Sequence, residues 1–205
     1  LIVGALVVGQ ISTQSHRYKE EIKRRKNLER ERETFTEFFA LLNDIVYTAL
    51  AMADLKAVLR ILAKRVNELL GTDVSYICLW DDEQRLTIPI EAHGSTRDAF
   101  LNLQFAPGER TLTSSAIAAK SAIAIEDIVT STDRISEKAR ELYQGSILCL
   151  PLIAGDRELG SITLVFSSFH HFTQDEVIRS EQAAGLIALT LEKFFAVEDA
   201  SKRAK

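Results

Sequence analysis

Ser146 to Val165, SILCLPLIAGDRELGSITLV, sets two apolar runs around a tight polar turn, Ala154-Gly155-Asp156-Arg157-Glu158. Two such runs joined this closely read as a β-hairpin. Both arms are rich in Ile, Leu and Val and have few polar breaks. A strand with that pattern is covered on both faces, so the hairpin must lie inside a layered structure.

The rest of the chain supplies the layers. Arg17 to about Ala53 contains neither Gly nor Pro and reads as helix. Phe35, Leu42 and Ala49 share one heptad position in it, and Phe38, Ile45 and Met52 the other, as in a short coiled coil or an amphipathic helix packed on its own domain. Asp54 is the expected N-cap of a second helix, whose apolar residues Leu55, Val58, Leu59, Leu62, Val66 and Leu69 recur at helical spacing until Gly71. Strands are expected over Val74–Trp80, Leu86–Ala92 and Ala122–Ile125, with Pro89 marking an edge or a bulge. Short helices fit Thr96–Leu101, Leu112–Ala119 behind a Thr111 cap, and Ser131–Tyr143. Thr173-Gln174-Asp175-Glu176 is a capping box that opens a last helix running past Phe195.

Charge is unevenly placed along the 205 residues. From Arg17 to Glu33 the Lys and Arg outnumber the Glu, while the net charge of the whole is −4, so the remainder is acidic and offers little to nucleic acid. The opening LIVGALVVG is shorter than the roughly 20 apolar residues a membrane span requires. Followed by the basic cluster, it reads either as the end of a truncated transmembrane helix or as an apolar tail. Cys78 and Cys149 each sit within an apolar run and read as buried core thiols.

The order of these elements resembles the GAF domain, a small-molecule-sensing module of signalling proteins. The resemblance rests on the helix Leu55–Leu70 followed by GTDVSYICLW, on Ala122–Asp127 as a strand ending in Asp, and on Leu150-Pro151-Leu152. Gly160, opening the final strand, and Phe172-Thr173 with Asp175-Glu176 complete it. It implies an α+β fold: a central six-stranded antiparallel sheet with helices on both faces, the long N- and C-terminal helices packed together. It further implies a division into residues 1–10 (membrane end or tail), 11–37 (charged juxtamembrane helix), 38–196 (GAF domain) and 197–205 (start of a linker to an output domain). Where the family often carries a glycine in the short helix over its pocket, this chain has Thr113-Ser114-Ser115.

Function follows from the same resemblance: a regulatory sensor and dimerisation domain of a bacterial histidine kinase or diguanylate cyclase, at the cytoplasmic face of the inner membrane. An unidentified small molecule would bind among Thr113, Ser114, Ser115, Asp127, Arg134 and Tyr143. Two chains would pair through Arg17–Ala53 and Gln174–Ala196. No catalytic or metal-ligating constellation stands out in the sequence, and His170 and His171 read as solvated loop residues. The helix Arg134–Tyr143 lacks the cysteine that covalent bilin attachment uses, and haem at His93 is not expected. The alternatives are a redox enzyme like the free-methionine-sulfoxide reductases, which would need an exposed thiol, and an adaptor without ligand.

Overall fold

The computed structural model describes residues 25, 54–131, 137–143 and 145–203. Five antiparallel strands form one sheet in the order β2-β1-β5-β4-β3. They are β1 (Val74–Asp81), β2 (Leu86–His93), β3 (Ile123–Ile125), β4 (Ser146–Ala154) and β5 (Arg157–Phe166). The helices are α1 (Leu55–Leu70), α2 (Arg97–Leu101), α3 (Leu112–Ala119), α4 (Glu137–Leu142) and α5 (Gln174–Arg203). The expected sixth strand is not among the described residues. In the segment after α2, Leu103 N–H donates to Phe100 O, and Gln104 O accepts from the distant Lys138 Nζ at 2.8 Å.

The hairpin β4–β5 is central, as its double-sided apolar pattern requires. Its turn is tighter than the polar stretch suggested, because Ala154 still pairs with Arg157. Gly160 is needed where β5 crosses β1: its φ is +151° and an added Cβ would lie 1.9 Å from Cys78 O. Pro89 sits on the edge strand β2, beside the register shift between Ile77 and Cys78, so both of its expected roles coincide.

Strand alternation sends the two faces to different cores. Ile77, Leu148, Leu150, Leu152, Ile162 and Leu164 face α1 and α5, meeting Leu59, Leu62 and Val66 of α1 and Ile187, Ala188 and Leu191 of α5. Ala183, Ala184 and Ala188 are buried along α5, where short side chains permit close approach to the sheet. Both helix starts are capped: Asp54 Oδ1 accepts from Lys56 N at 3.0 Å, and Thr173 with Glu176 forms the expected reciprocal box. The opposite face carries Tyr76, Cys78, Cys149, Ile147 and Val165 beneath Phe100, Leu112, Ala116 and Tyr143. The N-terminal helix assigned to Arg17–Ala53, its heptads and the apolar opening run lie outside the described residues apart from Arg25, which is helical.

Candidate functional site

The face opposite α1 and α5 is built from alternate residues of β1, β5 and β4, and it is not purely apolar. Cys78 lies opposite Ser161, and Cys149 opposite Thr163. Thr113, from α3 above, shares a 2.8 Å hydrogen bond with Ser161. Thr163 Oγ1 donates to Cys149 Sγ at 3.4 Å. All five side chains are buried, so this is a patch of hydroxyls and thiols that satisfy one another. Burial pushes the Cys78 thiol up to about 12 and the Cys149 thiol up to about 11, and hydrogen bonds from Thr113 to the first and from Thr163 and Ser161 to the second only partly offset it.

Next to this patch the rings of Tyr76 and Phe100 lie 4.3 Å apart, and those of Tyr76 and Tyr143 5.2 Å apart. The Tyr76 hydroxyl is hydrogen-bonded to Thr96. Burial raises the Tyr143 phenol well above its ordinary value, so it stays a neutral hydroxyl at any physiological pH.

The five candidate ligand residues that are described do not converge on one point. Thr113 and Tyr143 belong to the buried layer. Ser114 and Ser115 turn to the outer side of α3. Ser114 closes a capping box with Thr111, and Ser115 Oγ donates to Thr111 O at 2.8 Å. Asp127 Oδ1 accepts from Val129 N at 2.9 Å, shaping the turn after β3. Arg134 lies outside the described residues.

Outside α3 is a surface cleft of about 510 Å³, lined by Trp80, Arg85, Gly108, Glu109, Arg110, Ser114, Ser115, Ala118 and Ala119. Its walls are tied together. Gly108 N–H donates to Arg85 O at 2.9 Å, and Thr87 shares a 2.7 Å hydrogen bond with Thr111, the cap of α3. Of these lining residues the sequence marks only the two serines as ligand candidates. The positive φ of Arg85 (50°) depends on the turn it closes, and the cleft depends on that turn meeting the 106–110 loop. Neither is local information.

Among the described residues no group of three or more His, Cys, Asp or Glu side chains is gathered as metal ligands. His93 ends β2, paired with Ser75. His170 departs from the solvated loop residue expected of it. Its ring stacks on Phe166 at 4.0 Å and meets Phe172 edge-on, with Nε2 3.2 Å from Glu176 Oε1. His171 is exposed, with Nδ1 2.7 Å from Glu126 Oε1.

A family model described as "GAF domain" matches residues 52–192. The chain belongs to the GAF domain family. GAF domains are regulatory sensor modules of signalling proteins, and the antiparallel sheet between helical layers is that fold. Solved structures agree. A GAF domain from a phosphoenolpyruvate-protein phosphotransferase of Coxiella burnetii superposes with a TM-score of 0.67 at 17% identity, over 80% of this chain and 98% of that one. A free methionine-R-sulfoxide reductase from Neisseria meningitidis, in complex with its substrate, gives 0.62 at 18% identity, over 76% and 89%. Residues 122 to 287 of a methyl-accepting chemotaxis protein give 0.63 at 16% identity, over 75% and 98%. At such identities the likeness speaks for the GAF fold alone. No curated protein sequence matches this GAF chain.

Proposed function

We propose that this GAF domain is the sensor and dimerisation segment of a bacterial membrane signalling protein. The observation that supports the reading is the contrast between the two faces of one sheet. One face bears the polar-lined layer under α2, α3 and α4. The other bears α1 and the 30-residue α5, whose apolar residues Ile178, Leu189 and Val197 remain exposed. A second chain covering that stripe would give a parallel helix pair leading to an output domain. A small molecule held on the opposite face would act by favouring one of two arrangements of the pair. The segment 1–10 would anchor the protein at the cytoplasmic face of the inner membrane, residues 11–37 would connect anchor to sensor, and 197–205 would lead onward. Among the described residues no helix is long and apolar enough to cross a membrane.

The packing of Tyr76, Phe100 and Tyr143 favours a second reading, an adaptor that pairs chains without binding a ligand beneath α3. The reductase reading loses support, because sulfur redox chemistry needs an accessible thiolate and both thiols are buried with raised pKa values. Thermal melts of the whole chain with cyclic nucleotides, amino acids and tetrapyrroles separate sensor from adaptor. A ligand-dependent rise supports the sensor, and flat melts with a persisting dimer support the adaptor. A monomer at tens of micromolar would remove both.

A further inference from the structure

We propose that the cleft outside α3 is a binding site for a small organic anion carrying an aromatic ring. This deepens the sensor reading by giving it a ligand class, and rests on that reading for the site's purpose, not for its existence. The site is separate from the layer beneath α3, because Thr113 faces that layer while Ser114 and Ser115 face the cleft. Its volume, about 510 Å³, is that of small-molecule pockets, which run from roughly 300 to 1,000 Å³.

The charge balance selects the ligand. Three charged residues line the cleft: Arg85, Glu109 and Arg110. Glu109 is already committed, its Oε2 accepting from Ala106 N at 2.8 Å and lying 3.2 Å from Lys138 Nζ. Among the described residues neither Arg85 nor Arg110 makes an ion pair, so two guanidinium groups border one cavity with their charge unspent. Planar, multidentate donors of this kind suit a carboxylate or a phosphate. Trp80 is half-buried and offers indole surface to a ring, with Ala118 and Ala119 as apolar wall. Ser115 spends its proton on Thr111 O and so presents lone pairs, which suit a hydroxyl or amine on the ring.

Trp80 is the only tryptophan, so its emission reports on this cleft alone. The probes are 4-hydroxybenzoate and phenyl phosphate, with acetate and phenol as the separate halves, titrated into the whole chain at low salt with excitation at 295 nm. At least one of the two ring anions should give a saturable change. Its affinity should exceed that of either half about tenfold, and should fall about tenfold or more when both guanidinium groups are removed, as one lost charge-assisted contact each requires. The double variant is Arg85→Asn with Arg110→Gln, Asn being tolerant of the left-handed backbone at position 85. Should it fail to fold, Arg110→Gln alone must still weaken binding several-fold. No saturation by either ring anion up to about 10 mM, or binding unchanged in these variants, overturns the site. Saturable binding that leaves the association state unaltered keeps the site and removes the relay.

Discussion

Replacing Glu91 by Gln tests how the two helical layers are coupled. Glu91 lies on the edge strand β2 with a side chain only 1% exposed. Its Oε1 accepts from Arg97 Nε of α2 at 2.9 Å and from Ala92 N at 3.0 Å. Its Oε2 accepts from Arg60 Nε of α1 at 3.2 Å. One buried carboxylate thus joins helices that cover opposite faces of the sheet. Glutamine keeps a single acceptor and points an amide donor at an arginine. Each lost charge-assisted bond is worth roughly 1.5–3 kcal/mol. Arg60 is 59% exposed and Arg97 35%, so both recover hydration when released, and the net loss should be about 2 kcal/mol. For a domain of this size that lowers Tm by about 4–8 °C. Burial alone would raise the Glu91 pKa, but the Arg97 and Ala92 hydrogen bonds and the charges of Arg97 and Arg60 outweigh it and hold the carboxyl below its ordinary value of 4.5. A depressed folded pKa means the unfolded chain takes up the proton first. The wild-type advantage should be complete above the ordinary value and disappear as pH falls through the lower folded one. Urea unfolding of both proteins between pH 8 and pH 3 checks this. A Glu91→Gln penalty under about 0.5 kcal/mol at pH 7, or one that persists undiminished into acid, refutes the coupling.

Three further outcomes follow from the core. Gly160→Ala should destabilise by roughly 3 kcal/mol or more in chemical unfolding, because the new Cβ meets Cys78 O, whereas Gly155→Ala, at φ +59° with open space, should cost about 1 kcal/mol. Thr113→Val should cost about 1–2 kcal/mol by removing its hydrogen bond to Ser161, and adding Ser161→Ala should recover part of it, a non-additivity read from a double-mutant cycle. Cys78 and Cys149 should resist a chromogenic disulfide reagent in the folded protein and react once it is denatured. Rapid labelling at pH 8 would restore a redox role.

Much of the fold was readable because its signals are local. The hairpin arms announce burial on both faces, Pro89 marks the edge, and Thr173 with Glu176 marks the start of α5. Gly160 was readable only as a pattern, and its cause, the backbone of β1 passing within contact, is a tertiary fact. The sixth strand was implied by the resemblance alone, and the sheet of the described residues has five. Thr113, Ser114 and Ser115 show why the site was less legible than the fold. Consecutive helical residues point about 100° apart, so adjacency in the chain set one hydroxyl in the core and two in the outer cleft. Trp80, Arg85 and Arg110 come together only because the β1–β2 turn touches the 106–110 loop. The Glu91 cluster spans residues 60 to 97 and left no local trace either.

The proposed pairing of two chains along α5 can be tested at one position. Val197 is 67% exposed, late in α5, and the two native thiols are buried and will not compete. Mild oxidation of the Val197→Cys chain at tens of micromolar should yield a covalent dimer in high proportion, and Leu189→Glu in the same chain should suppress it. A cross-linked fraction no greater than that of a cysteine placed at Asp156, on the remote β4–β5 turn, would contradict paired α5 helices and with them the relay.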